Sequence, residues 1–450
     1  MKSALKTCCL LYTLGAISGL GGCASYAPSP LTSNLAVLSD TTASEIATGA
    51  GRAHLSPVTI DLAQPLNANA VATVAVIANP DLKALRAQAK VADAQAFAAG
   101  LLPDPTFSIG VDNLISGPDS LDNLTAALGL DLNSLRTRSV TLVNAQSQAR
   151  QVRLDLAWSE WQTSGQARLQ AVRIQALQQQ LIINRQSLDA QTTLLKRMEQ
   201  ATGSGDVSAE GLQTARAAAA TATDIYNTNA RSLEAARFEL RRLLGVAPQT
   251  DIALAPTPLP PVPLTAERLF QIALDHRADL AALREGYNVQ DSHLHLAVLQ
   301  QFPTLNLTLN ANRDTSANRT FGPAVDFTLP LWNRNRGGIA VETATREALR
   351  AEYDARLFQT RAEITAAAAD IRLLRAQRDR LLSDMPATRA FVDASVKAAA
   401  DGEISQPVAE ATMQVLRDKE SQLGQAEQEI AELTISLELL TGQPQQEWTQ

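Results

Sequence analysis

Asp81-Leu82-Lys83-Ala84-Leu85-Arg86 comes back as Asp279-Leu280-Ala281-Ala282-Leu283-Arg284, 198 residues later. Pro105-Thr106-Phe107-Ser108-Ile109 returns as Pro303-Thr304-Leu305-Asn306-Leu307 at the same offset. Gly205-Asp206-Val207-Ser208 returns as Gly402-Glu403-Ile404-Ser405, and Leu243-Leu244-Gly245 as Leu440-Thr441-Gly442, both at 197. A duplication that holds register over this distance means two copies of one structural unit. The period is far too long for a solenoid. Each copy reads as helix, strand, strand, long helix, helix.

The strand pattern is alternation. Phe107, Ile109 and Val111 interleave with Ser108, Gly110 and Asp112, and Leu128, Leu130 and Leu132 with Gly129 and Asp131. In the second copy Leu305, Leu307 and Leu309 interleave with Asn306, Thr308 and Asn310, and Val325, Phe327 and Leu329 with Asp326 and Thr328. Successive side chains point to opposite faces, so each run has one apolar and one polar face. A half-buried soluble sheet would give the same pattern, but each run also has about the length of a tilted strand crossing a bilayer. Polar loops at 113–123 and 312–320 join the strands of each pair. Four strands leave two open edges, which lipid does not tolerate. Three chains would supply twelve strands and close a barrel.

The helix pattern is a heptad. Leu212, Ala219, Tyr226, Leu233 and Leu240 fall seven apart, as do Ala409, Leu416, Leu423, Ile430 and Leu437 at offset 197. The partner helices carry Ile174, Leu181, Leu188 and Leu195, then Leu357, Ile364 and Ile371. A sustained seven-residue apolar repeat marks a coiled coil. The helix expected over 136–200 would reach about 98 Å at ~1.5 Å per residue. The helices expected over 79–100 and 208–245, stacked end to end, match it. In the second copy 277–300 and 405–441 match 338–400.

The chain begins with Lys2, Lys6 and an apolar run from Cys8 to Ile17, too short to span a membrane. Leu20-Gly21-Gly22-Cys23 follows, so residues 1–22 read as a processing signal. Cys8 and Cys9 leave with it, and Cys23 alone cannot form a disulfide within the chain or supply a cysteine metal site. Cleavage leaves 37 basic and 46 acidic residues, a formal charge of −9 that argues against a nucleic-acid partner. Residues 23–68 read as an extended tail, 69–250 as the first repeat, 251–263 as a Pro-rich linker, 264–445 as the second repeat and 446–450 as a C-terminal tail.

The Leu-Gly-Gly-Cys stretch resembles a lipoprotein signal, which implies a diacylglyceryl lipid on Cys23; Ala24 after it favours the outer membrane by the same resemblance. The duplicated helix–hairpin–helix plan resembles the TolC-type outer-membrane efflux family. The Asn79-Pro80-Asp81-Leu82 opening, the Gly-acid-Val/Ile-Ser turns and Pro330-Leu331 running into Asn335-Arg336-Gly337 carry the likeness. Ala99-Gly100-Leu101-Leu102-Pro103-Asp104-Pro105 and Leu154-Asp155-Leu156-Ala157-Trp158 are similar to its heavy-metal branch, the CzcC and CusC type. The resemblance implies a mainly α chain with membrane β: a homotrimeric α-barrel joined to a twelve-stranded barrel in outer-membrane lipid, four strands per chain. It implies a passive exit duct reaching into the periplasm, docked to a periplasmic adaptor and an inner-membrane pump of the RND type, with no cofactor beyond the lipid. The competing readings are a periplasmic adaptor, which would carry one helical hairpin flanked by lipoyl-like β segments, and a coiled-coil scaffold lipoprotein, which would need no alternating strands.

The turns between long helices are the expected adaptor-docking tip: Gly205, Val207 and Ser208, then Gly402, Ile404 and Ser405. Glycine suits a left-handed helix end, serine an N-cap, and Pro407 the first turn. Asp206, Glu210, Glu403 and Glu410 suit helix N-termini; tripled by symmetry they would form a carboxylate ring that narrows the pore and favours cations. His293 and His295 are two apart on a helix and so face apart, which disfavours a metal clamp. Trp332 fits an interfacial aromatic, and Trp158 and Trp161 read as packing residues. No catalytic constellation emerges.

Overall fold

The computed structural model describes residues 26–31, 44–46, 58–119, 121–204, 207–256, 258 and 264–448. A short antiparallel pair, β1 (Ser44–Ile46) and β2 (Val58–Ile60), precedes the first repeat. That repeat comprises α1 (Ala68–Ala78), α2 (Pro80–Ala99), β3 (Thr106–Asp112), β4 (Asn123–Asp131), α3 (Leu132–Gly203) and α4 (Ala209–Leu243). The second comprises α5 (Ala266–His276), α6 (Ala278–Leu299), β5 (Leu305–Arg313), β6 (Arg319–Phe327), α7 (Arg336–Ala400) and α8 (Gln406–Thr441).

Each repeat opens on two helices where periodicity alone indicates one. The break falls at Asn79-Pro80. Proline has no N–H and its ring obstructs the carbonyl four residues back, so α1 cannot run through it. The Asn79 N–H closes α1 on the Ala75 carbonyl, and its side-chain oxygen caps α2 by accepting from Asp81 N (2.9 Å) and Leu82 N (3.1 Å). Its Nδ2 donates 3.0 Å to the Leu243 carbonyl at the end of α4. At the matching position of the second repeat stands Arg277, whose Nη1 donates 3.3 Å to the Leu440 carbonyl. Different side chains thus tie the same kink to the same helix end. Gly245 and Gly442, at φ +61° and +73°, press against that kink. A Cβ on them would sit 2.5 Å from the Ala78 carbonyl oxygen and 2.7 Å from that of His276.

Two expected strand ends move. Leu132 alternates with Asp131 yet begins α3, because the Asp131 carboxylate accepts from Asn133 N (2.9 Å) and Ser134 N (3.1 Å) and starts the helix at once. β6 stops at Phe327, short of Leu329; Pro330 brings no donor to extend the ladder. The longest helix, α3, has 72 residues, about 108 Å at ~1.5 Å each, and packs against α1, α2 and α4 along its length.

The apolar cores sit where the opening helix of each repeat meets the long pair. Val71, Val74, Ala75 and Ala78 of α1 pack with Ala167, Ala171 and Ile174 of α3 and Leu233, Leu240 and Leu243 of α4. Leu269, Ile272 and Ala273 of α5 pack the same way with Ile364 and Ile371 of α7 and Leu437 of α8. A smaller cluster of Val172, Ala431 and Ile435 joins α3 to α8 across the repeats. The heptad residues of α4 and α8 are all buried or half-buried. Trp448, assigned by sequence to the C-terminal tail, is 3% exposed in the second core; its Nε1 donates to Thr441 Oγ1 (3.2 Å) and the Gln443 carbonyl (3.1 Å).

The four long strands form one antiparallel sheet in the order β3-β4-β5-β6. The β4–β5 ladder, from Leu124↔Arg313 to Asp131↔Asn306, joins the two repeats. β3 and β6 are its edges.

Candidate functional site

Register sorts the sheet into two chemically distinct faces. Directly paired residues lie on the same side of an antiparallel ladder. Phe107, Leu128, Leu309 and Pro323 make one row across all four strands, and Ile109, Ala126, Ala311 and Phe321 the next. Leu130, Leu307 and Val325 continue it, then Leu305 and Phe327. The opposite face carries Ser108, Ala127, Asn310 and Gly322 in one row, and Gly110, Thr125, Asn312 and Thr320 in another. The apolar face is uncovered: Phe107 is 69% exposed, Ile109 67% and Phe321 74%. An apolar patch of this breadth on one sheet face demands a nonaqueous neighbour. Below it, at the helix end, Leu101, Leu102, Phe302, Leu329, Leu331 and Trp332 are also exposed. Trp332 thus lies where an interfacial aromatic would. No helix among the described residues is long and apolar enough to cross a membrane.

At the far end of the helices the two turns differ. α7 ends in a Schellman motif: Gly402, at φ +78°, donates to the Ala399 carbonyl and Glu403 to that of Ala398 (2.8 Å). Ser208 caps α4 by accepting from Gly211 N at 3.1 Å. Ser405 holds the N-cap position of α8, but its hydroxyl makes no capping bond; Pro407 takes one of the first-turn donors away. Val207 and Ile404 are half-buried beside these caps. Gly205 and Asp206 lie outside the described residues, as does Cys23.

The candidate acids separate. Glu210 and Glu403 are exposed. Glu410 is not a free carboxylate: it forms an ion pair with Arg417, two turns along α8, with side chains 13% and 10% exposed. Arg417 also donates 3.0 Å to Gln414, which accepts from Ser187 of α3. Glu410 therefore belongs to an α3–α8 contact, because a cation sits within its own helix's reach. His293 and His295 are exposed, and no metal-holding cluster occurs among the described residues.

Periodicity missed the buried charges at mid-rod. Arg277 is clamped to Asp279 at 2.7 Å, and Arg356 of α7 reaches the same carboxylate at 2.9 Å. The Arg277 guanidinium also stacks on Trp158 at 4.9 Å, so that tryptophan joins the repeats rather than merely filling space. Burial alone would raise the Asp279 carboxyl, but Arg277 and then Arg356 outweigh it and hold it below the ordinary aspartate value. Asp155, on the facing α3, is raised by burial first and by the Asp279 charge second. Arg86–Glu160 (2.8 Å) and Arg168–Glu438 make further pairs to α3. The recurring Asp-Leu-x-x-Leu-Arg motif was the available signal, since Arg86 and Asp279 both lie in it.

The long α-helical body ending in a four-stranded sheet with an uncovered apolar face has the fold of solved outer-membrane channels. Over 94% of this chain and the whole of the other, it superposes on the outer-membrane channel OprN with a TM-score of 0.70 and 16% identity. CusC, solved in a study of folding and transmembrane channel formation, matches with a TM-score of 0.68 and 15% identity over 84% of this chain and 92% of its own. Residues 269–443 match the model of the outer membrane efflux protein family. In sequence, 176 residues are 32% identical to the cobalt-zinc-cadmium resistance protein CzcC of Cupriavidus metallidurans, 35% of this chain and 41% of that protein. The alignment thus spans less than half of that relative. The family match is confined to the second repeat, and the fold over nearly the whole chain is the one seen in these outer-membrane channels.

Proposed function

We propose that three copies close their sheets edge to edge into a twelve-stranded barrel, continuous with a hollow helical bundle, and serve as the passive exit duct of an efflux system. The observation that carries this is the sheet: an apolar face that needs lipid, a polar face fit to line water, and two edges, β3 and β6, that lipid cannot leave unpaired. A periplasmic adaptor with a single hairpin does not account for two helical pairs, nor a scaffold for the exposed apolar band. On this reading the signal covers residues 1–22, the lipid on Cys23 holds the chain to the membrane, and the mechanism needs no cofactor. A periplasmic adaptor meets the turns at Val207–Ser208 and Gly402–Ser405, and an inner-membrane pump of the RND type supplies the energy. Kinship with a cobalt-zinc-cadmium resistance protein makes divalent metal cations the first cargo to test. Exposed Glu210 and Glu403 at the tip, with Asp206 beside them in sequence, support a cation-favouring constriction there; Glu410, already paired, adds little.

Reconstitution in planar bilayers tests the proposal. Stepwise conductance from a cross-linkable trimer is the expected result. A solubilised protein that stays monomeric and never conducts would remove it.

A further inference from the structure

The apolar face ends abruptly in two arginines. Arg313 closes β5 and Arg319 opens β6, and the two are direct cross-strand partners. They stand on the same face as Leu124, which pairs with Arg313, and as Ala311 and Phe321 one row further in. Both therefore point to the side that faces lipid, at the loop end of the barrel, opposite the helices. Like charges directly opposed in a ladder destabilise it. Neither side chain has a carboxylate partner among the described residues. Arg313 Nη2 touches the Asp122 carbonyl at 3.4 Å, and its Nε is buried with no hydrogen-bond partner. Arg319 is exposed, and its side chain makes no hydrogen bond or ion pair among the described residues.

The nearby carboxylates are engaged elsewhere. Asp314 accepts from Asn318 and Ser316, Asp119 from Thr315 and Ser316, and Asp122 from Leu114 N. Two arginines that are direct cross-strand partners, with donors left over and an apolar row next to them on the same face, match a molecule with a phosphate at one end and acyl chains at the other. Guanidinium forks bind phosphate bidentately, and cations near a bilayer surface cost little and attract anionic headgroups.

Resting on the membrane reading above, we propose that Arg313 and Arg319 form a site for the phosphorylated headgroup of an outer-leaflet lipid, whose chains lie along Phe321 and Ala311. The lipid lowers the mutual repulsion of the arginines and fixes the height of the barrel in the bilayer.

The test uses the full-length protein reconstituted in phosphatidylcholine vesicles with or without a bisphosphorylated glucosamine lipid, followed by native mass spectrometry of retained lipid. Wild type should keep the phosphorylated lipid. Arg313→Gln/Arg319→Gln should lose it at least tenfold while floating with the vesicles, and Arg313→Lys/Arg319→Lys should fall between, having charge without the fork. Equal retention by wild type and the glutamine variant in floating vesicles would remove this site and leave the channel reading intact. Failure of every variant and wild type to float would remove both. If inorganic phosphate alone displaced the lipid at equal concentration, the pair would be a site for free phosphate and the lipid assignment would fall.

Discussion

Replacing Asp279 with alanine should loosen the start of the second repeat more than any surface change. The carboxylate holds Arg277, whose side chain is 2% exposed, and Arg356, which is 34% exposed. Arg356 can turn to water when the acid is gone. Arg277 cannot: it is pinned between Trp158, the Leu440 carbonyl and the α5–α6 junction. Breaking a buried pair and stranding one charge costs about 3–5 kcal/mol. Chemical denaturation of the detergent-solubilised protein, followed by helical circular dichroism, reads that loss. The pH dependence gives a second reading. The Asp279 carboxyl is held below its unfolded value of 3.8, so its contribution is complete above that value and fades as pH falls through the lower folded one. The gap between wild type and Asp279→Ala should therefore be constant from pH 7 to 5 and shrink below pH 4. Arg277→Met/Asp279→Leu should regain most of the loss, because it leaves no buried charge. A loss under about 1 kcal/mol for Asp279→Ala, or a gap unchanged at pH 3, would refute the reasoning.

Gly442→Ala should cost about 1–3 kcal/mol through its left-handed backbone alone, with more from the clash with the His276 carbonyl, and Gly245→Ala should behave alike; thermal melts of both decide it. Leu309→Arg, at mid-height of the apolar face, should cost about 2–4 kcal/mol and deplete the outer-membrane fraction, whereas Asn310→Ser on the other face should fractionate normally; equal fractionation of the two would contradict the face assignment. Glu210→Ala/Glu403→Ala should weaken the cation preference of single channels, while Glu410→Ala should act on helix packing instead, through a stranded Arg417. Unchanged selectivity in the first variant would remove the constriction.

The duplication, the two periodicities and the turn residues were enough, read alone, to define a repeated helix–hairpin–helix with coiled-coil rods. These are local signals: alternation and heptads follow from where successive side chains point, whatever the neighbours. What sequence missed were contacts between residues far apart in the chain. The split of the opening helix was written in Asn79-Pro80, but in the second repeat Arg277 does the same work without a proline, through a bond to residue 440. Glu410 read as a candidate pore acid until Arg417 stood beside it, and Trp448 as a tail until the second core enclosed it. Alternation gave each strand two faces but not the ladder that aligns four apolar rows, nor the arginine pair that ends them. Register across β4 and β5 is set by two repeats packing together, and that is decided by long-range burial.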